Sequence, residues 1–195
     1  NTLIVDVADY TDMTVLGATR DDAAGECFDK AARVLGLPYP GGRPMDQLAQ
    51  QSAGGVYDLP SAHVAGAELD MSFSGLKTAV VNLAHNAQQK GDPLDAPALA
   101  RDFARAVSRE LVPRAMRALE LTGRRTLVAA GGVAAAAALT ACGGGKAESK
   151  TADAHEAVTF MAPYKEIEAF IEQVHSVYPE VNIEVVPYSG DNTTT

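Results

Sequence analysis

The sequence predicts an α/β fold, and three patterns of apolar residues lead to that expectation. Apolar residues alternate with polar ones over 2–7 and again over 13–16, which indicates two strands joined as a hairpin by a polar turn. Apolar residues at every fourth position indicate a helix over 98–121, which Pro113 is expected to kink or divide in two. A strand, a helix and a strand follow one another again between residues 157 and 187. With 47% hydrophobic residues, the chain has enough apolar material for a buried core.

The other helices are predicted from their start and stop signals. The polar run 19–22 favours the start of a helix that continues to Leu35, where Gly36 ends it. A rigid turn at 38–42 comes next, and a short amphipathic stretch follows Asp46. Downstream the pattern predicts a loop over 52–66, a helix over 74–89 and a linker over 91–97.

The overall charge excludes one broad class of function. The chain has 16 Lys and Arg against 25 Asp and Glu, for a net charge of −9. A general nucleic-acid-binding protein needs a basic surface that displaces counterions from phosphates, so any such contact must be local. Arg101, Arg105 and Arg109 share one face of the 98–121 helix. This stripe is either a solvated helix surface or a contact for RNA phosphates.

Cysteine and histidine positions indicate neither a disulfide framework nor a zinc site. Cys27 and Cys142 lie far apart in different contexts, and Cys27 is expected to be a small buried side chain. The four histidines are isolated from one another, so we expect exposed or packed imidazoles rather than metal ligands. They are His63, His85, His155 and His175.

The most specific stretch of the sequence runs from Asp21 to Lys30 and continues over 35–42. Glu26, Asp29 and Lys30 fall within one helical turn, which presents carboxylate and ammonium groups together. The adjoining glycines at 41 and 42 would let a ligand approach the backbone, and nearby carboxylates could accept hydrogen bonds from ribose hydroxyls. The alternative interpretation is a surface ion-pair network without a ligand.

This stretch resembles the signature of the tRNA threonylcarbamoyladenosine transferase family. Residues 72–78 resemble a second motif of the family, and residues 127–135 resemble a third, in the same order. The resemblance covers about the first 135 residues, and three ordered motifs make it specific.

The resemblance implies a partial actin-like and Hsp70-like fold, in which two α/β lobes close on a nucleotide. The family transfers a threonylcarbamoyl group from threonylcarbamoyl-adenylate to the tRNA adenosine beside the anticodon, together with other threonylcarbamoyladenosine-synthesis proteins. By matching position, Asp29, Gly42 and Asp46 would bind this substrate or an ATP-like nucleotide. Gly131 and Gly132 would lie beside its phosphate. Lys77, in the second motif, is either a helix-surface lysine or part of the site.

Departures from the family pattern concern the metal and the third motif. The family holds iron or zinc with a His-x-x-x-His pair and a late aspartate, and this sequence contains no such pair. Ala136 replaces the asparagine expected after the third motif. The metal holds and polarises the substrate, so we assign no catalytic residue and expect the chain to be inactive alone.

A second pattern overlaps the third motif and resembles the start of a bacterial lipoprotein. Arg124 and Arg125 precede an uncharged apolar run over 126–139, and a lipobox follows that ends at Cys142, the candidate lipidation site. The run is shorter than the roughly 20 residues that span a bilayer. Residues 157–195 resemble an incomplete βαβ element of a solute-binding protein with a periplasmic-binding-protein fold.

These resemblances predict a join of two incomplete proteins. Residues 1–135 would be a partial transferase domain, and the signal-like segment 124–142, a tether over 143–156 and a truncated solute-binding domain over 157–195 would follow. The start at Asn1, without Met, is expected of a fragment. The favoured interpretation is a cytoplasmic transferase fragment. The alternatives are a truncated ABC-type solute-binding lipoprotein, anchored by lipid at the bacterial surface, and a hybrid without either function.

Overall fold

A computed structural model describes residues 2–9, 11–62, 64, 66–131, 157–160 and 182–187 of the chain. The expected mixture of helices and strands is confirmed in this part of the chain. In chain order the elements are β1 (Leu3–Asp9), β2 (Asp12–Ala18), α1 (Ala24–Val34), α2 (Gly42–Ala49), α3 (Ser74–Lys90), α4 (Ala96–Thr122), β3 (Thr126–Gly131), β4 (Ala157–Phe160) and β5 (Asn182–Pro187).

The described strands form one sheet of five strands in the order β2-β1-β4-β3-β5. β1 and β2 pair as the antiparallel hairpin that the sequence predicts, and both strands extend further than predicted. β4 is antiparallel to β1 and parallel to β3, which is also parallel to β5. The late strands at 157–160 and 182–187 are therefore separated by β3 rather than being neighbours. The helix predicted between them, over 165–177, lies outside the described residues.

Helix boundaries follow the predicted signals closely. α1 ends at Val34, and Gly36 adopts a positive φ of 71° just after it. α2 begins at Gly42, so the predicted turn at 38–42 ends one residue early. α4 is 27 residues long and continues through Pro113. The expectation that this proline divides the helix in two is therefore wrong.

The core lies between the sheet and the apolar faces of the helices. The residues that predict α4 at every fourth position, Leu99, Phe103, Val107 and Leu111, are all buried, as expected. The ring of Phe103 meets that of Phe28 from α1 edge to face, with ring centroids 5.0 Å apart. This ring contact joins α1 to α4 within the core.

The predicted signal-like segment is described only in part. Residues 126–131, the start of the apolar run, form strand β3, whereas Gly132, Cys142 and the tether over 143–156 lie outside the described residues. Among the described residues, no helix has both the length and the apolar character needed to cross a membrane. The lipid anchor and the division into two parts stay predictions.

Candidate functional site

The α1–α2 corner is the turn between these two helices together with the helix ends that flank it. Two hydrogen bonds tie this turn to α1. The Gly41 amide donates to Asp29 Oδ1 over 2.6 Å, and the Leu37 amide donates to the Ala32 carbonyl over 2.9 Å. Both ends of the turn are therefore tied to α1. Because α2 begins at the next residue, this bond also sets the position of α2.

Gly41 has a different role from the one its sequence suggests. A Cβ atom at this position would lie 2.3 Å from Ala32 Cβ and 3.0 Å from Asp29 Cα. The missing side chain allows the turn to pack against α1, and Gly41 is buried. The expectation that Gly41 leaves its backbone open to a ligand is therefore wrong.

Three of the five predicted substrate-binding residues lie on the two helices that meet at this corner. Asp29 is half-buried on α1, Gly42 is the buried first residue of α2, and Asp46 lies one turn later on the same helix. Asp46 Oδ2 accepts a hydrogen bond from the Gln50 side chain over 2.9 Å. Gly131 belongs to another element, the carboxyl end of β3. The roles of these residues in binding stay predictions.

The first two sequence motifs contact each other directly. Asp21 accepts hydrogen bonds from the Ser72 hydroxyl and, over 2.8 Å, from the Phe73 amide. Burial opposes ionisation of Asp21, but these hydrogen bonds outweigh it and hold its pKa below the ordinary value. The Cys27 thiol donates to the Phe73 carbonyl over 3.3 Å. The start of α3 is thus fixed to α1 by polar contacts as well as by packing.

Cys27 is buried, as expected, and its thiol is held in the neutral form. Burial is the main cause that raises the pKa of Cys27 to about 12, and the nearby negative charge of Asp22 adds to the effect. A thiol with this pKa is almost entirely protonated at neutral pH, and its packing against Phe73 is structural.

Charged side chains between α1 and α3 form an ion-pair cluster. Lys30 Nζ lies 2.6 Å from Asp22 Oδ1 and 2.8 Å from Glu26 Oε1. Hydrogen bonds to Asp22 and Glu26, in that order, raise the pKa of Lys30. Lys77 Nζ lies 3.7 Å from Asp22 Oδ2, so the second motif contributes to the same cluster. The geometry favours the ion-pair interpretation for Glu26 and Lys30.

Asp29 does not share in this cluster, because its carboxylate bonds to the Gly41 amide. The expectation that Glu26, Asp29 and Lys30 present their charges together is therefore wrong. Asp29 is the member of the motif whose position is tied to the α1–α2 corner.

Metal binding finds no support in the described part of the chain. Those residues contain no group of three or more His, Cys, Asp or Glu side chains that could hold an ion. His85 lies on the exposed face of α3 and shares a hydrogen bond with the Gln89 side chain. His63, His155 and His175 lie outside the described residues. The described side chains do not fit the family's metal.

Sequence reasoning missed a carboxylate that holds the 52–62 loop, the described first part of the loop predicted over 52–66. Asp102, buried on α4, accepts hydrogen bonds from the consecutive amides of Gly55, Val56 and Tyr57 at 2.6, 2.9 and 2.8 Å. Burial opposes ionisation of Asp102, but the three amide donors outweigh it and keep its pKa below the ordinary value. The sequence feature that could have identified Asp102 is its position as an acidic residue beside the apolar positions of a helix.

A second buried carboxylate on α4 holds the far end of the same loop. Glu110 has no exposed surface and accepts hydrogen bonds from the Ser61 hydroxyl and, over 2.8 Å, the Ala62 amide. Arg114 Nη1 lies 3.0 Å from Glu110 Oε2, and Arg114 also donates to the Asp70 carbonyl over 2.7 Å. These contacts satisfy polar groups of a segment that forms no helix or strand.

The basic stripe on α4 also contacts this loop. Arg109 donates to the Leu59 carbonyl over 3.1 Å, and Arg105 Nη1 lies 3.8 Å from Asp102 Oδ1. These two arginines therefore have neighbours within the protein. Arg109 thus supports the loop, and for the stripe as a whole the choice between a solvated helix surface and an RNA contact stays a prediction.

Substitution of Gly41 tests the packing of the α1–α2 corner. We expect Gly41→Ala to lower the free energy of unfolding by about 2 kcal/mol, because its Cβ would overlap Ala32. Urea denaturation followed by circular dichroism measures this change. The Ala32→Gly variant removes the obstacle at a cost of about 1 kcal/mol of helix propensity.

The loss in free energy of unfolding for the double variant should therefore be smaller than the sum of the two single losses, by at least about 0.5 kcal/mol. Additive effects of Gly41→Ala and Ala32→Gly would contradict the contact between these residues.

The described part of the chain thus has a mixed α/β structure in which the first two sequence motifs contact each other. A family described as tRNA N6-adenosine threonylcarbamoyltransferase (TsaD) matches residues 1–168. The transferase of that name from Streptococcus suis (strain 05ZYH33) is 47% identical over 135 residues, and that from Streptococcus gordonii (strain Challis) is 49% identical over 135 residues. Each alignment covers 69% of this chain and 40% of the relative.

The chain belongs to the tRNA N6-adenosine threonylcarbamoyltransferase family. Membership supports the actin-like α/β fold that the first three motifs imply. The chain spans about 40% of the length of the curated relatives it matches. The family match extends past residue 135, and the comparisons lend no support to a lipoprotein or solute-binding element.

Proposed function

We propose that this chain forms part of a tRNA N6-adenosine threonylcarbamoyltransferase and supplies one wall of its nucleotide pocket. The observation that supports this proposal is the hydrogen bond from the Gly41 amide to Asp29, which holds Asp29 beside the start of α2, the helix that carries Gly42 and Asp46. The substrate would be threonylcarbamoyl-adenylate, and the acceptor would be the exocyclic amine of the tRNA adenosine beside the anticodon.

Binding and orientation are the tasks that these residues can perform. Asp29 Oδ1 is occupied by the Gly41 amide, which leaves Oδ2 to accept hydrogen bonds from ribose hydroxyls. Amides at Gly131 and Gly132 would approach the phosphate. In the family a metal supplies Lewis-acid chemistry, and the chain described here would bind the nucleotide without transferring the group. Other threonylcarbamoyladenosine-synthesis proteins would be its partners, in the cytoplasm.

Titration of the full chain with AMP tests this proposal. The Asp29→Asn variant keeps an oxygen for the Gly41 amide but removes the charge and one acceptor. We expect AMP to bind the variant at least about tenfold more weakly than the wild type, because a hydrogen bond to a charged group is lost. Isothermal titration calorimetry measures both affinities.

The matched control is Asp92→Asn, which removes the same charge at an exposed position after α3. It should bind AMP with unchanged affinity. The proposal fails if the folded wild type does not bind AMP at millimolar concentration, or if Asp29→Asn binds it as well as the wild type does.

A further inference from the structure

The side chain of Tyr39 is exposed beside the α1–α2 corner. Its exposed fraction of 78% is larger than that of any other large hydrophobic residue in the described part of the chain. An aromatic ring contributes most to stability when it is buried, and the core makes no use of this one. Its exposure is therefore consistent with contact to a molecule outside the fold.

The backbone that carries this ring is held in place. Pro38 and Pro40 flank Tyr39, and each proline ring restricts its own φ angle. The Leu37 amide is tied to Ala32 before the turn, and the Gly41 amide is tied to Asp29 after it. A tyrosine side chain has only two torsions, so ordering it against a ligand costs little conformational entropy.

The position of Tyr39 matches the candidate nucleotide pocket. Only Pro40 separates Tyr39 from Gly41, whose amide bonds to the carboxylate proposed to bind ribose. The hydrogen bonds that Asp29 would accept from ribose hydroxyls can recognise the sugar but carry no information about the base. A flat apolar surface next to the sugar site is what a nucleobase requires, since every base has a face that stacks on aromatic rings.

We infer that Tyr39 is the stacking platform for the nucleobase of the bound nucleotide. This inference rests on the proposed function and adds the residue that contacts the base. The interaction uses the ring face, so the phenolic hydroxyl is dispensable. Phenylalanine should therefore replace tyrosine without loss, whereas alanine should not.

The experiment compares AMP with ribose 5-phosphate, which has the same sugar and phosphate but no base. Wild type, Tyr39→Ala and Tyr39→Phe are titrated as full chains by calorimetry. We expect Tyr39→Ala to bind AMP about tenfold more weakly, as loss of one stacked base predicts, and to bind ribose 5-phosphate like the wild type. Tyr39→Phe should bind AMP with wild-type affinity.

Two further variants separate stacking from other effects. Val56→Ala shortens another exposed apolar side chain, which is 60% exposed in the 52–62 loop, and should leave AMP binding unchanged. Asp29→Asn should weaken AMP and ribose 5-phosphate alike, because both ligands carry the ribose.

The outcomes distinguish this inference from the proposed function. If the wild type binds AMP and Tyr39→Ala binds it equally well, the stacking role is overturned and the pocket stands. Equal weakening of both ligands by Tyr39→Ala overturns the role as well, because the ring would then act on the turn rather than on the base. Tyr39→Ala is also compared with the wild type on an anticodon stem-loop RNA, and an effect confined to that RNA would overturn the stacking role as well. Failure of the wild type to bind AMP removes both proposals.

Discussion

Replacement of Glu110 with alanine is expected to lower the free energy of unfolding by about 3–5 kcal/mol, the range for breaking a buried ion pair. Glu110 has no exposed surface, and its partner Arg114 has a side chain that is only 15% exposed. The variant would leave that guanidinium and the Ala62 amide without the carboxylate that satisfies them. Chemical denaturation followed by circular dichroism measures the loss.

Glu120→Ala is the matched control for this variant. Glu120 lies on the same helix and pairs with Arg117 at 3.1 Å, but both side chains are more than 40% exposed. Exposed pairs contribute about 0–1 kcal/mol, so this variant should lose far less stability. Similar losses for Glu110→Ala and Glu120→Ala would show that Glu110 is not a buried partner of the loop.

Replacement of Gly17 with alanine is expected to lower the free energy of unfolding by about 3 kcal/mol, at the upper end for overpacking. Its Cβ would lie 2.2 Å from the Leu69 carbonyl oxygen, and a backbone atom cannot move aside as a flexible side chain can. The nearby backbone bond from the Met71 amide to the Ala18 carbonyl, 3.0 Å long, would be strained as the segments separate. Thermal and urea unfolding measure the effect.

Gly75→Ala provides a control of opposite sign. Gly75 lies in the first turn of α3, and a Cβ atom there would meet no atom within 4 Å. Alanine favours the helix over glycine by up to about 1 kcal/mol, so this variant should be slightly more stable than the wild type. If Gly17→Ala were equally harmless, the packing of β2 against Leu69 would be disproved.

Local patterns in the sequence predicted most of the secondary structure. The spacing of Leu99, Phe103, Val107 and Leu111 identified α4, because a helix buries one face and repeats about every 3.6 residues. Gly36 and Gly91, both with φ of 71°, marked the ends of α1 and α3. These signals depend only on neighbours along the chain, so one sequence is sufficient to read them.

Contacts between distant segments were not predictable in the same way. The order of the sheet places β4 between β1 and β3, which no local pattern specifies. The sequence showed that Gly41 lacks a side chain but not whether a ligand or Ala32 occupies the space beside it. Asp102 and Glu110 appeared as polar positions on a helix, and the loop amides that they bind lie more than 40 residues away.

The candidate site was predicted by resemblance, and the structure adds its local geometry. Asp29 lies near Gly42 because the preceding Gly41 amide bonds to it, and Asp46 lies one turn further along α2. The separation of Asp29 from the Lys30 cluster could not be foreseen, since it depends on which partner each side chain meets. A sequence motif names the residues, whereas the hydrogen bonds distinguish their tasks.

The two carboxylates of α4 also set a length for the 52–62 loop. At about 1.5 Å per residue, Asp102 and Glu110 are about 12 Å apart along the helix axis. The segment from Tyr57 to Ser61, held by these two side chains, spans at most about 14 Å when fully extended. The helix thus fixes the separation of the two points at which the loop is held, and the segment between them is long enough to span it.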